Sequence, residues 1–264
     1  MCLLVLSKWS KENRAQVQGV LTDIDDTLTS NGAITPDALN ALARLKAAGL
    51  PVFAITGRPA GWSEDFALSW PINAIVAENG AVALSRDNEG RLQKRYLQDP
   101  NTRQSHFKRL QAVLHHIETV MPHAQRAADS TGRETDIAID HSEFALLSAH
   151  DIARVVKLMQ AGGLHATVSS IHINGWMGRH DKLEGARWAV REHLGRDLDQ
   201  ELNRWVYVGD STNDARMFGH FPNSVGVANV ARFVGQLEHL PTYVTPSERG
   251  AGFTEVVNAL LEAR

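Results

Sequence analysis

Three carboxylates in four positions, Asp23, Asp25 and Asp26, sit within the stretch "GVLTDIDDTLTSNG" (residues 19–32). Two carboxylates about 4 Å apart repel by roughly 4 kcal/mol at an effective dielectric near 20. Acids gathered at the end of an apolar run therefore imply a cation held among them, or acids that do chemistry. Three later stretches carry groups suited to the same chemistry, namely Thr56-Gly57-Arg58, Asp181-Lys182, and Gly209-Asp210-Ser211-Thr212-Asn213-Asp214. Several hard oxygen ligands in a partly open site suit Mg²⁺, which takes one or two carboxylates, keeps some waters and accepts a phosphate oxygen. A carboxylate beside that metal can attack phosphorus and form an aspartyl-phosphate. A second carboxyl two residues on can protonate the leaving oxygen and later activate water. The Thr56 hydroxyl and the Lys182 ammonium would stabilise charge on the transferring phosphoryl oxygens.

These groups converge only if the chain places them at one edge of a sheet. Apolar, β-branched runs at 17–24, 51–56 and 73–80 read as strands, and amphipathic segments between them read as helices. Thr35-Pro36-Asp37 is a helix start, with a capping hydroxyl, proline in the first turn and an acid beside it. Fully apolar strands alternating with helices predict a parallel sheet covered on both faces. Near Ala81 the texture changes to α+β: a meander to about residue 98, a helix over 102–120, strands at 124–128 and 134–140, a helix over 149–161, and a strand "HATVSSIHING". After Gly178 the first texture returns, with a helix over 181–194 and a strand over 204–210. The expected architecture is α/β: a doubly wound parallel-sheet core over 16–83 and 179–264, interrupted by an inserted α+β domain over 84–178. Ligands of such sheets bind beyond the carboxyl ends of the strands, where all four stretches fall. Residues 1–15 carry no assignment and read as a disordered extension.

Composition narrows the partners. The 264 residues carry a net charge of −3, which supplies no basic field for nucleic acid or acidic membranes. One cysteine, Cys2, excludes a disulfide within the chain and suits a reducing compartment. No run approaches the roughly 20 apolar residues of a membrane span. The expectation is a soluble, cytoplasmic protein with a small-molecule partner.

"DIDDTLT", "ITGRP", the lysine of "HDKLEGA" and "VGDSTND" resemble the four ordered motifs of the haloacid dehalogenase superfamily. The insertion between the second and third motifs, with "AENGA" and "ERGAGFTEVV", is similar to subfamily IIB, the Cof-type and sucrose-phosphate phosphatase-like enzymes. The resemblance implies a Rossmann-like core with a C2B cap and a Mg²⁺-dependent phosphatase acting on a phosphorylated sugar or related metabolite. It implies Asp23 as nucleophile and Asp25 as general acid/base, with Thr56, Gly57 and Lys182 binding phosphate. It implies a metal held by Asp23, Asp25 (through its backbone carbonyl), Asp210 and Asp214, with Asn213 alongside. The family usually has a small residue where Asp26 stands, and no catalytic role is given to Asp26.

Other residues keep two readings. Arg58 is a salt-bridge partner of the acids or a substrate contact; Asn79 fixes a turn or supports the site. Ser170, His172 and Asn174 share one strand face by period two. With Arg133, His172 and Asn174 could read a sugar, or they form a polar sheet edge facing water. Two further functions stay open: a phosphosugar mutase, and a non-hydrolytic phosphoaccepting or sugar-phosphate-sensing protein.

Overall fold

The computed structural model describes residues 3–264, and the expectation that rests on Cys2 lies outside the described residues. In chain order the elements are β1 (Leu4–Val5), α1 (Lys11–Gln16), β2 (Gly19–Thr22), the hairpin β3 (Thr29–Ser30) and β4 (Ala33–Ile34), α2 (Pro36–Ala47), β5 (Val52–Ile55), α3 (Ala60–Ser69) and β6 (Ala74–Ala77). Then come β7 (Val82–Arg86), β8 (Leu92–Tyr96), α4 (Pro100–Val120), β9 (Asp136–Asp140), α5 (Ala149–Ala161), β10 (His165–Val168) and β11 (His172–Trp176). The chain closes with α6 (Lys182–Leu194), β12 (Trp205–Gly209), α7 (Ala215–His220), β13 (Asn223–Gly226), β14 (Tyr243–Val244) and α8 (Arg249–Leu261).

Nine strands form one sheet in the order β1-β14-β13-β12-β2-β5-β6-β7-β8, parallel from β1 to β6. Alternate residues of each strand feed opposite cores. Val20 packs with Leu42 of α2 and Phe253 of α8, whereas Leu21 packs with Ala186 and Val190 of α6. Burying a side chain of that size contributes about 1.5–3 kcal/mol, so strands buried on both faces read as unbroken apolar runs. The expected helix start holds: Thr35 Oγ1 accepts from Ala38 N, with Pro36 in the first turn.

A second, antiparallel sheet, β10-β11-β9, is backed by α4 and α5 through Leu110, Ile117, Val155, Met159 and Ile173. Four expectations need correction. First, the stretch after 84 does not leave the large sheet at once: β7 pairs antiparallel onto β6 and β8 onto β7, with Val82 and Leu84 of β7 in its core. Second, 124–128 makes only a single bridge, Arg126 to Ile139, in a stretch poor in β-branched residues. Third, "HATVSSIHING" is two strands. Ser169 Oγ accepts from Ile171 N and His172 N and turns the chain, so Ser170 lies at a hairpin tip rather than on a strand face. Fourth, the described part of the N-terminal segment is ordered. β1 pairs with β14, Leu6 and Trp9 are buried, and Trp9 Nε1 donates to Asn223 Oδ1 at 3.1 Å. None of the described helices is long and apolar enough to cross a membrane.

Candidate active site

The carboxyl ends of β2 and β12 lie side by side, and Asp23 N donates to Val208 O at 2.8 Å. Asp23 is 4% exposed, held against the first residue of α6: Lys182 Nζ donates to Asp23 Oδ1 (2.6 Å) and to Asp214 Oδ1 (2.7 Å). Asp214 also accepts from Tyr207 Oη (2.5 Å) and from the backbone N–H groups of Asp210 (2.9 Å) and Ser211 (3.1 Å). That closeness needs Gly209, because a Cβ there would lie 2.5 Å from Asp214 Oδ2. Asp210 accepts from Asn229 Nδ2 at Oδ2 (3.0 Å), while its Oδ1 is buried without a partner. One oxygen from each of Asp23, Asp210 and Asp214 falls within 4.8 Å of the others.

One ammonium does not balance three carboxylates. Burial, with Asp214 and Asp25 close by, pushes Asp23 up to about 8 in spite of Lys182. Burial, with Asp23 and Asp214 nearby, raises Asp210 well above the carboxylate range. Burial opposes the charge on Lys182, yet Asp214 and Asp23 together raise its pKa. The orphaned Asp210 oxygen, with carboxylate oxygens of Asp23 and Asp214 close by, is a hard-oxygen donor set that fits Mg²⁺. Asp210 is the freest ligand; Asp214 already commits its lone pairs to four donors.

Asp23, Asp25, Thr56, Gly57, Arg58, His172, Asn174 and Asn213 line one narrow void of about 10 Å³, room for a single water. The Asp25 carboxylate is held by Arg58 Nε at 3.0 and 3.1 Å. Of the two readings of Arg58, the ion pair is the one observed; the same guanidinium reaches Asp129 (3.1 Å) and Glu143 (2.7 Å) of the small-sheet unit. His172 Nε2 lies 2.8 Å from Glu143 Oε2. Asn174 Nδ2 donates to Gly57 O (3.2 Å), and Asn213 Oδ1 accepts from Ser211 Oγ (3.0 Å). Asn79 holds φ 56° in the turn after β6, and its Nδ2 reaches Asp136.

Arg133 does not line that void. Its guanidinium is buried between Asp136 (2.8 Å), Asp129 (3.1 Å) and Gly57 O (3.0 Å), so it braces the two sheets instead of facing a substrate. Sequence reasoning missed Glu143, Tyr207 and Asn229. Glu143 lies in a loop whose N–H groups are collected by Asp140, which no local pattern announces. Tyr207 reads as strand filling, although its Oη points at Asp214.

The sequence profile of the haloacid dehalogenase-like hydrolases matches residues 20–143. Among solved structures, a Thermoplasma acidophilum protein covers 94% of this chain and 99% of its own, at 18% identity and a TM-score of 0.70. The sucrose-phosphatase of Synechocystis, solved with sucrose and phosphate, covers 93% and 98% at 15% identity and a TM-score of 0.64. A haloacid dehalogenase-like hydrolase from B. subtilis covers 92% and 99% at 14% identity and a TM-score of 0.60. At these identities the likeness is one of fold.

Proposed function

Because this chain belongs to the haloacid dehalogenase superfamily of hydrolases, we propose that it is a Mg²⁺-dependent phosphomonoesterase acting on a phosphorylated sugar or related small metabolite. The observation that carries the reading is the buried Asp23, paired with Lys182 and facing the unpartnered oxygen of Asp210. An Asp23 carboxylate oxygen attacks phosphorus as the bond to the leaving oxygen breaks, and Asp25 gives that oxygen its proton. Water then attacks the phosphorus of the aspartyl-phosphate, Asp25 takes the water proton, and phosphate departs with Asp23 restored. Lys182 and the Thr56 hydroxyl, beside Gly57, steady the phosphoryl oxygens. Asp23, Asp210 and the backbone carbonyl of Asp25 would hold the metal, with Asp214 anchoring Lys182 and Asn213 alongside. When bound, the cation supplies positive charge to the phosphoryl oxygens and offsets the carboxylate repulsion.

The small-sheet unit, roughly 99–178, acts as the cap that excludes water and meets the organic part of the substrate through His172 and Asn174. The single cysteine suits a cytoplasmic setting, and the sugar-phosphate assignment draws on the sucrose-phosphatase likeness. The test is phosphate release from aryl phosphate and a panel of sugar phosphates, with Mg²⁺ or EDTA. Release should need Mg²⁺ and fall at least about a thousandfold in Asp23→Asn, as expected when a nucleophile is removed. A stable phospho-Asp23 with no release would favour a phosphoaccepting sensor instead.

A further inference from the structure

Among the described residues, five other than glycine hold positive φ, and three of them, Asp26 (55°), Asn31 (53°) and Arg249 (54°), line one cavity of about 380 Å³. Asparagine tolerates that conformation; arginine gains nothing there to offset a cost of about 1 kcal/mol or more, and such strain collects at functional sites. Asp25 lines the same cavity. Asp25 also lines the void beside His172 and Asn174, so the two spaces adjoin. Under the phosphatase reading, on which this inference rests, Asp25 protonates the leaving oxygen, so the leaving group extends from that void into this cavity.

Two of the three carboxylates that line the cavity are occupied by other partners. Both oxygens of Asp25 accept from Arg58, and the Glu143 oxygens accept from Arg58 and face His172. The third, Asp26, faces guanidinium groups that keep unused donors. Arg249 forms an ion pair with Asp26, Nε to Oδ1 at 3.0 Å, but its buried Nε makes no aligned hydrogen bond. Its side chain lines the cavity and is 29% exposed. Arg232, on the same wall, pairs with Glu248 through one nitrogen at 2.8 Å. The position of Arg249 is tied to the carboxylate cluster by one side chain. Asn229 Oδ1 accepts from Arg249 N (3.1 Å), and its Nδ2 donates to Asp210 Oδ2 (3.0 Å) and Asp26 O (3.1 Å).

We propose that Arg249, backed by Arg232, is the specificity-determining group that receives a second anion carried by the leaving group. The preferred substrates are then phosphomonoesters bearing a carboxylate or a second phosphate. A guanidinium fork matches either group with two parallel hydrogen bonds. This also gives Asp26 a purpose: it holds the empty guanidinium at the rim until the substrate anion takes over.

The test compares kcat/KM within two pairs of probes: 3-phosphoglycerate against glycerol 3-phosphate, and fructose 1,6-bisphosphate against fructose 1-phosphate. Aryl phosphate is run alongside. A charge-assisted pair is expected to favour the doubly anionic member of at least one pair by about 10- to 100-fold. Preference in the first pair alone assigns a carboxylate, and in the second alone a phosphate. In Arg249→Gln the ratio should collapse toward one, mainly through KM, and Arg249→Lys should keep part of it. Arg232→Gln leaves the strained backbone at 249 untouched and should lower the ratio severalfold, which covers failure of an Arg249 variant to fold. Hydrolysis of aryl phosphate without discrimination within either pair overturns the proposal, as does a ratio unchanged in all three variants. Absence of release from every probe, aryl phosphate included, overturns the phosphatase reading itself and this proposal with it.

Discussion

Two groups of buried charges meet beyond the strand ends, and they differ in whether their carboxylates are satisfied. At the Asp23 cluster one ammonium, Lys182, serves Asp23 and Asp214, and Asp210 keeps an oxygen with no partner. At the seam between the two sheets the acids are satisfied. Glu78 accepts from the N–H groups of Ala60, Glu134 and Thr135 and from Thr135 Oγ1, at 2.5–3.1 Å. Arg133 and Arg58 each reach partners on both sides of the seam. Carboxylates whose oxygens are all occupied fix one unit on the other; a carboxylate oxygen left bare marks where a ligand supplies the rest. Arg58 joins the two regions, since it holds Asp25 on one side and the small-sheet unit on the other.

Breaking the seam should cost most. Glu78→Ala strands four donors and opens a buried space, with an expected loss of about 3–5 kcal/mol in denaturant unfolding. A loss below about 1 kcal/mol would mean that the seam is not held by its bonds. His180 sharpens the comparison as the exception beside the seam: it is buried, and neither ring nitrogen has a partner. Burial, with His165 and His106 nearby, lowers its pKa from 6.5 to about 4. The unfolded chain therefore takes up this proton first as pH falls, and stability drops between about pH 6.5 and 4, by up to about 3 kcal/mol. Urea midpoints across that range should flatten in His180→Phe. The smallest effect has the opposite sign. In metal-free protein, Asp210→Asn removes a buried, half-satisfied carboxyl crowded by Asp23 and Asp214 and should raise stability by about 1–2 kcal/mol. The same change should abolish the stabilisation by Mg²⁺, which in wild type is about 2.7 kcal/mol at a hundred times Kd. Thermal melts with and without Mg²⁺ read both effects, and a destabilised Asp210→Asn would remove the contrast between cluster and seam.

The half of the candidate site built on the large sheet was legible because its residues terminate predictable elements. Asp23 ends a β-branched run, Lys182 follows the helix cap Asp181, and Asp210 and Asp214 follow a strand closed by Gly209. The half contributed by the small-sheet unit was less so. Arg133 stood in the pattern as a substrate contact and is a brace. Ser170 fell on the wrong part of a hairpin because a serine hydroxyl can turn a chain that alternation alone would continue. His172 and Asn174 do line the void, but Glu143 decides what His172 can do, from 29 residues away in the chain.

The sequence by itself determined the strands, the helices and the order in which four reactive stretches leave the sheet, because period, capping and apolar runs are local properties. Only the tertiary structure decided which charges are complete and which are not. That Lys182 is shared by Asp23 and Asp214, that Asp210 keeps a bare oxygen, and that Arg249 lines one cavity with Asp25 and Asp26 are relations between residues far apart in the chain. Burial and pairing set the energy of a charge, and neither is a property of the residue that carries it.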